Sequence, residues 1–199
     1  MVLSNHQSHL DPILLGISLR RRTNFLARET LFRFWPLRLL IQSLDTIPID
    51  REGSGLAGLK EMLRRLKAGE IVLVFPEGTR TPDGRLGPIK PGFCAVARRA
   101  GVPLLPVAIE GAFAAWPRWR WFPRPAVIHV SLGEPLDPAT IRSMDDDQLI
   151  REVERRILLC QHEAHSSRRR ALGDEALPRD GKSRQVAPPQ ELRPIVARP

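Results

Sequence analysis

Two short polar segments hold the residues of this chain that are best suited to chemistry. The first covers residues 5–11 and contains His6 and Asp11; the second covers residues 75–80 and reads Phe-Pro-Glu-Gly-Thr-Arg. Each segment directly follows a short apolar run, which is typical of a buried strand that ends in a loop. Open α/β sheets place ligands and chemistry at strand ends. We therefore expect a base, a carboxylate that orients it and an arginine for an anion to act at these segments.

The spacing of His6 and Asp11 allows a hydrogen-bonded pair only if a helix begins between them. Five positions apart, the two side chains would point about 140° away from each other on a regular helix. Asp11-Pro12 is a typical helix start, with the aspartate as N-cap and the proline in the first turn. The Asp11 carboxylate can then bond imidazole Nδ1 and leave Nε2 to accept a proton. The alternative is a capping aspartate beside an unrelated loop histidine.

The second segment has the residue types of an anion site. Gly78 permits unusual backbone angles and close ligand approach, and Arg80 offers a fork that suits a phosphate. The loop from position 76 to position 92 is long for a mere connection. Arg51, at the end of another predicted strand, supplies a second arginine. The alternative is an ordinary polar turn.

The elements that must position these residues alternate between strand and helix. The predicted strands are residues 2–4, 24–27, 46–49, 71–75, 104–109 and 127–132. The predicted helices are residues 12–19, 30–43 (interrupted at Pro36), 56–66 between Ser54 and Gly69, 92–100, and a last amphipathic helix through Leu149 and Cys160 with Asp145 as its cap. This alternation predicts an α/β fold: a single domain with a mixed, largely parallel sheet flanked by helices.

The composition of the chain changes near Ser166. From there to Pro199 the sequence has an arginine run at residues 168–170, scattered prolines and almost no apolar periodicity. Such composition is typical of disorder. The sequence therefore predicts a folded domain over residues 1–165 and a basic, disordered tail over residues 166–199.

The charge balance calls for an anionic partner. The 199 residues include 31 Lys and Arg against 22 Asp and Glu, for a formal net charge of +9. Nucleic acid, anionic lipid and an acidic carrier protein all fit this charge. The sequence contains no tyrosine, which weakens the case for an RNA-stacking platform.

Cysteine usage and hydropathy limit the other classes. Cys94 and Cys160 have no CxxC spacing, so neither a disulfide scaffold nor a zinc site is expected. No stretch reaches the roughly 18 apolar residues that a membrane span needs, and the first predicted strand begins where a signal peptide would lie. We expect a cytoplasmic protein whose membrane contact is peripheral.

Residues 116–122 combine aromatic and basic side chains. This segment holds three of the four tryptophans, interleaved with arginine. Segments of this kind bind single-stranded nucleic acid or anchor proteins at lipid headgroups. The alternative is a loop whose tryptophans fold back onto the core.

Taken together, the segments resemble the 1-acylglycerol-3-phosphate acyltransferase family, part of the wider glycerolipid acyltransferase group. His6 and Asp11 match its NHxxxxD motif, and residues 75–80 match its FPEGTR block. Residues 49–51 match its second block and residues 102–106 its fourth, in the family's order. The resemblance covers roughly residues 2 to 140.

The resemblance implies an O-acyltransferase. Its reaction moves a fatty acyl chain from an acyl thioester to the hydroxyl of 1-acylglycerol 3-phosphate, giving phosphatidate. The co-substrate is acyl-CoA or acyl carrier protein, with no metal or other cofactor. His6 would be the general base and Asp11 its partner, whereas Ser8 and His9 are expected to have no catalytic role. The residues implied to bind the glycerol phosphate are Arg51, Glu77, Gly78, Thr79 and Arg80, with Pro106 shaping the acyl site.

The resemblance also predicts the partners of the chain. Family members carry a membrane-associated segment before the histidine motif, and His6 lies near the start of this sequence. We expect peripheral binding to an anionic membrane at the cytoplasmic face, with residues 116–122 as the best candidate surface and no nucleic acid. The alternatives are another lysolipid acceptor, or a non-catalytic basic protein that binds membrane or nucleic acid. The intact His6–Asp11 pair argues against the last alternative.

Overall fold

The computed structural model describes residues 1–19, 21, 23–28, 46–49 and 56–173. Within these ranges, six strands form one sheet in the order β3-β2-β4-β1-β5-β6. The strands are β1 Val2–Ser4, β2 Thr23–Arg28, β3 Thr46–Ile49, β4 Ile71–Val74, β5 Leu105–Glu110 and β6 His129–Leu132. The helices are α1 Asp11–Leu19, α2 Leu56–Lys67, α3 Gly92–Ala100, α4 Ala112–Ala115, α5 Pro138–Ser143 and α6 Asp146–Leu172.

The sheet is mixed and largely parallel, as the alternation of elements predicts. Strands β1 to β5 pair in parallel, and only β6 runs antiparallel, beside β5. Helices cover both faces, so parallel strands such as β4 are continuous apolar runs rather than alternating ones. The predicted fold class is confirmed.

Side chains of each central strand alternate between two apolar layers. Val2 packs in one layer with Leu15 of α1, while Leu3 packs in the other with Val96 of α3 and Ile157 of α6. Because successive strand residues point to opposite faces, a continuous apolar strand fills both layers at once. This burial on both sides leaves the strand ends as the place for polar chemistry.

The carboxyl ends of β1, β4 and β5 meet at one edge of the sheet, since β1 lies between the other two strands. Just beyond β1, the Asn5 side chain continues the pairing with β5. Its amide nitrogen donates to Ile109 O at 2.9 Å, and its Oδ1 accepts the Ile109 N–H at 2.8 Å. The loop that begins at Asn5 is thereby held in register with β5.

Helix α1 differs from the prediction at its first turn. The N–H groups of Ile13 and Leu14 both bond Leu10 O at 3.0 Å, so Asp11 is the first helical residue and not the cap. The Asp11 carboxylate instead turns back to the preceding loop. The predicted N-cap role is wrong because main-chain N–H groups of that loop donate to the carboxylate.

Helix α6 extends beyond the predicted domain boundary. It begins with the predicted cap, Asp145, in a capping box with Gln148, and runs to Leu172. Arg168 fixes the last turns by donating Nε–H to Val127 O at 2.8 Å. The disorder predicted from residue 166 is therefore wrong as far as Leu172, because arginines that suit a helix C-terminus were interpreted as a tail. Residues 174–199 lie outside the described part of the chain, and the extent of the domain stays a prediction.

The two shortest helices were not predicted. Helix α5 follows Asp137, whose carboxylate accepts the N–H groups of Ala139 and Thr140, with Pro138 in the first turn. That cap and proline were a readable signal. The predicted helix over residues 30–43 and the Ser54 cap lie outside the described residues. Among the helices that the structure describes, none is long and apolar enough to cross a membrane.

Candidate active site

The structure joins His6 to Asp11 at the carboxyl end of β1. His6 Nδ1 lies 2.8 Å from Asp11 Oδ2, and the histidine side chain is 19% exposed whereas that of the aspartate is fully buried. A carboxylate at Nδ1 keeps the ring proton there and leaves Nε2 as the acceptor. The hydrogen-bonded pair expected from the sequence is present, and its catalytic role stays a prediction.

Asp11 is held by two main-chain donors besides the histidine. Its Oδ2 accepts the N–H groups of Gln7 at 2.6 Å and Ser8 at 2.7 Å. Its Oδ1 is buried with no hydrogen-bond partner among the described residues. Burial raises the pKa of Asp11, while the bonds from His6, Ser8 and Gln7 act in the opposite direction. Three donors on one oxygen fix the carboxylate, and the carboxylate in turn orients the His6 ring.

The second polar segment holds the ring and the main chain of His6. The imidazole stacks on the Phe75 ring with the centroids 4.0 Å apart and the planes at 15°. The His6 N–H donates to Glu77 Oε1 at 2.7 Å, and the His6 carbonyl accepts the Thr81 N–H at 2.8 Å. The two segments therefore form one site.

Glu77 is 4% exposed, and both of its carboxylate oxygens are engaged inside the protein. Besides the His6 N–H on Oε1, the Gly87 N–H donates to Oε2 at 2.8 Å. A Cβ at Gly87 would lie 2.9 Å from that oxygen, so a larger residue there would displace the carboxylate. Burial raises the pKa of Glu77, and the two N–H bonds oppose the rise. We infer that Glu77 positions His6; the glycerol-phosphate contact implied by the resemblance stays a prediction.

Gly78 lies in a turn that brings a lysine to the predicted anion site. Its φ of 71° is in the left-handed region that favours glycine. The Lys90 ammonium nitrogen lies 3.0 Å from where a Cβ of Gly78 would be, and the Lys90 N–H bonds Pro76 O at 3.0 Å. The neighbouring Thr79 is exposed. Lys90, which sequence reasoning did not identify, adds a cation at this turn.

Arg80, the predicted phosphate ligand, contacts His9. Its Nη1 meets His9 Nε2. Burial, and then the charges of Arg80 and His6, lower the pKa of His9 from 6.5 to about 4. A neutral His9 can accept an N–H of the guanidinium through Nε2, which fixes one side of Arg80. His9 was not expected to be catalytic, and the structure gives it a positioning contact.

Two other predicted residues lie apart from this group. Arg51 lies outside the described residues. Pro106 lies in β5 beside Leu3 of β1, and its carbonyl accepts the S–H of Cys160 in α6 at 3.8 Å. These contacts place Pro106 within the sheet, short of the edge that carries His6. Its role in the acyl site stays a prediction.

The contacts that sequence reasoning missed join distant parts of the chain. The His6–Glu77 bond and the His9–Arg80 contact each span 71 positions. Motif spacing does not tell which main-chain N–H will face a buried carboxylate. The one usable signal for His9 was its place in the sequence between His6 and Asp11. Any loop that pairs these two residues brings His9 to the same edge of the sheet.

The arrangement suits proton transfer beside an anionic group. A ring nitrogen of His6 can accept a proton while the carboxylate of Asp11 stabilises the cation that forms. Arg80 and Lys90 supply positive charge near the same turn, as a phosphate requires. No group of His, Cys, Asp and Glu within the described ranges could hold a metal ion.

Two curated relatives of similar sequence carry the same activity in their names. A 1-acyl-sn-glycerol-3-phosphate acyltransferase of Pseudomonas aeruginosa is 39% identical over 140 residues, covering 67% of this chain and 52% of the relative. The protein of the same name in Bacillus subtilis is 32% identical over 112 residues, covering 56% and 55%. This chain thus spans about half the length of these curated relatives.

A solved structure and a family profile agree with these relatives. The crystal structure of the 1-acyl-sn-glycerophosphate (LPA) acyltransferase PlsC from Thermotoga maritima matches with a TM-score of 0.67 at 30% identity, covering 83% of this chain and 65% of that one. The profile of the Acyltransferase family matches residues 1–110. The resemblance seen in the motifs is confirmed, and the chain belongs to the acyltransferase family.

Proposed function

We propose that this chain transfers a fatty acyl group from an acyl thioester to the free hydroxyl of 1-acylglycerol 3-phosphate, giving phosphatidate. The observation that carries the proposal is the 2.8 Å contact between His6 Nδ1 and the buried carboxylate of Asp11, at the edge that also carries Arg80. The names of the relatives in Pseudomonas aeruginosa and Bacillus subtilis support the same acceptor.

The reaction needs one base and no enzyme nucleophile. As the acceptor hydroxyl oxygen attacks the thioester carbonyl carbon, His6 Nε2 takes the hydroxyl proton. The carbon–sulfur bond then breaks, and the departing thiolate takes the proton back from the imidazolium. Asp11 stabilises that imidazolium and keeps the ring in place. Ser8 is engaged elsewhere, because its hydroxyl donates to Trp116 O at 2.8 Å.

The headgroup phosphate is the part of the acceptor that the cations select. We assign Arg80 and Lys90 to it, together with Gly78 and Thr79 of the exposed turn. Arg80 is the better discriminator, since a guanidinium can bind a phosphate through two parallel N–H groups whereas an ammonium acts as a point charge. Arg51 is kept as a further phosphate ligand, and Pro106 as a residue of the acyl site.

The substrates set the remaining partners. A lysolipid acceptor resides in a bilayer, so the chain would act on an anionic membrane surface, at the cytoplasmic face, where coenzyme A and acyl carrier protein thioesters are available. Its positive charge would serve lipid and donor rather than nucleic acid. Another lysolipid acceptor is the nearest alternative.

Product analysis tests this function. The purified chain is offered 1-acylglycerol 3-phosphate and a set of other lysolipids, each with acyl-CoA and with acyl carrier protein thioester. Mass spectrometry should show phosphatidate as the dominant product, absent with folded His6→Ala. A different diacyl product would replace the acceptor that we propose. No acylated lipid with any acceptor or donor would contradict the enzyme assignment.

A further inference from the structure

Residues 116–124, the aromatic loop, present a surface that the acyl-transfer chemistry does not use. Trp119, Trp121 and Phe122 are 59%, 81% and 77% exposed. Arg118 and Arg120 are also exposed, on either side of Trp119. An exposed cluster of large aromatic side chains is uncommon on a soluble protein unless it meets a partner. Of the alternatives that the sequence left open, burial of the tryptophans is therefore wrong for Trp119 and Trp121.

Hydrogen bonds close the aromatic loop into a defined shape. The Trp116 indole N–H donates to Arg120 O at 2.8 Å, and the Arg120 N–H bonds Pro117 O at 3.1 Å. At the other end, the Arg124 N–H bonds Ala115 O at 2.9 Å. These hydrogen bonds thus hold the main chain where the two ends of the loop meet and within its first turn. Because the main chain is already fixed, binding through the exposed side chains costs little ordering entropy.

The aromatic loop is attached directly to the loop over residues 5–10, the His6 loop. Ser8 Oγ–H donates to Trp116 O at 2.8 Å, and the His9 and Trp116 rings lie 5.1 Å apart. Phe113, which precedes the loop, donates its N–H to Gln7 Oε1 at 3.3 Å and meets the Trp119 ring edge-on at 5.3 Å. Whatever binds the exposed rings therefore lies beside the residues between His6 and Asp11.

We propose that the aromatic loop docks this chain on an anionic lipid bilayer, with Trp121 and Phe122 inserted at the headgroup boundary and Arg118 and Arg120 against lipid phosphates. Tryptophan favours that boundary, and arginine is attracted by the negative surface potential. The proposal rests on the proposed function for its purpose: docking here brings the catalytic histidine to the layer in which a lysolipid hydroxyl lies.

Vesicle binding tests the docking surface. The full chain is sedimented with phosphatidylcholine vesicles that do or do not contain phosphatidylglycerol. The double variant Trp121→Ala/Phe122→Ala should lose roughly tenfold or more in affinity, since two large apolar side chains no longer leave water. Leu132→Ala/Leu159→Ala is the matched control, because those leucines are each 47% exposed elsewhere. Equal losses for the two pairs would overturn the proposal.

The basic residues have a matched control as well. Arg118→Gln/Arg120→Gln should lose about fivefold per arginine on vesicles that contain phosphatidylglycerol, and little on neutral vesicles. Arg142→Gln/Arg151→Gln removes the same net charge from exposed helical positions and should lose less. Tight binding to a single-stranded oligonucleotide, with no vesicle binding, would also overturn the proposal and would identify nucleic acid as the partner.

A parallel activity measurement separates this proposal from the proposed function. Turnover is followed with the acceptor embedded in vesicles and with the acceptor dispersed in detergent. For Trp121→Ala/Phe122→Ala we expect the loss on vesicles to exceed the loss in detergent by roughly tenfold. If the enzyme is active and the variant loses the same factor on vesicles and in detergent, the docking proposal is contradicted and the proposed function is not. If the wild type binds vesicles but forms no product from any acceptor, the proposed function is contradicted and the docking proposal is not.

Discussion

The His6 loop and the aromatic loop are neighbours that are built in opposite ways. In the His6 loop, residues 5–10, side chains are turned inward: Asn5 completes the sheet and Ser8 bonds Trp116 O. In the aromatic loop, residues 116–124, main-chain groups satisfy one another while Trp121 and Phe122 face solvent. The first design fixes a geometry, and the second presents a surface. This difference in construction predicts that chemistry and membrane contact can be damaged independently.

The largest expected effect comes from His6, the proposed base. Removing a positioned general base costs about 10²- to 10⁴-fold in rate, so His6→Ala should lose at least that much in kcat/KM while it keeps its fold. Asp11→Asn should also be severely impaired, since the imidazolium loses its charge partner. Circular dichroism checks folding beside the kinetics. Near wild-type turnover in folded His6→Ala would mean that His6 is not the base.

The next effect concerns Glu77, which ties the two polar segments together. Glu77→Gln has one acceptor oxygen for the two N–H groups of His6 and Gly87, so one buried donor is left unpaired, at about 1–3 kcal/mol of stability. We expect kcat to fall about tenfold or more because His6 is displaced, equally for acceptors with and without phosphate.

The control for Glu77 is Glu154→Gln, an exposed change of the same type on α6. Its unfolding free energy and kcat should match those of the wild type. A loss in Glu77→Gln that is confined to KM for phosphate-bearing acceptors would instead assign Glu77 to the headgroup.

Arg80 should discriminate between acceptors. Arg80→Lys keeps the charge but loses bidentate recognition and the contact with His9. We expect kcat/KM to fall roughly tenfold for 1-acylglycerol 3-phosphate and less for a lysolipid without phosphate. Arg85→Lys, at an exposed arginine of the same loop, should change neither value. Equal losses for the two acceptors would remove Arg80 from the headgroup site.

The smallest effect is a pH dependence of stability. The pKa of His9 is about 4 in the folded chain against 6.5 for an ordinary histidine. Between these values the unfolded chain binds a proton at position 9 and the folded chain does not. The contribution of His9 to the free energy of unfolding therefore rises with pH and is complete above about pH 6.5.

His9→Gln removes the pH-dependent contribution of His9 to stability. The unfolding free energy of the wild type minus that of His9→Gln should therefore increase from pH 4 to pH 6.5 and stay level above it. Asp11 and Glu77 titrate in both proteins, so their contributions cancel in the difference. A difference that is flat across this window would show that His9 is protonated normally in the folded chain.

The structure also shows how far the sequence alone could predict it. Local patterns were sufficient for the strands, for helix α2 and for the meeting of His6 with Asp11, because each depends on residue periodicity or on a nearby helix start. The direction of the Asp11 carboxylate was predicted incorrectly. A capping pattern cannot reveal that the N–H groups of Gln7 and Ser8 compete for the same oxygen.

The remaining differences come from tertiary register. Glu77 meets the His6 N–H because β4 and β1 pair in a particular alignment, which the composition of either strand does not specify. Helix α6 continues past residue 165 where Arg168 reaches Val127 O of a distant loop. In both cases the deciding partner lies far along the chain, so local reasoning could name the residue but not its contact.

The independence of chemistry and docking is the central claim, and one paired measurement tests it directly. Folded His6→Ala and Trp121→Ala/Phe122→Ala are each assayed for binding to phosphatidylglycerol vesicles and for turnover of 1-acylglycerol 3-phosphate in detergent. His6→Ala should bind vesicles like the wild type and form no phosphatidate. The aromatic variant should bind vesicles roughly tenfold more weakly or worse and retain most of its turnover in detergent. If both variants lose binding and turnover together, the two loops form one functional unit and the account is wrong.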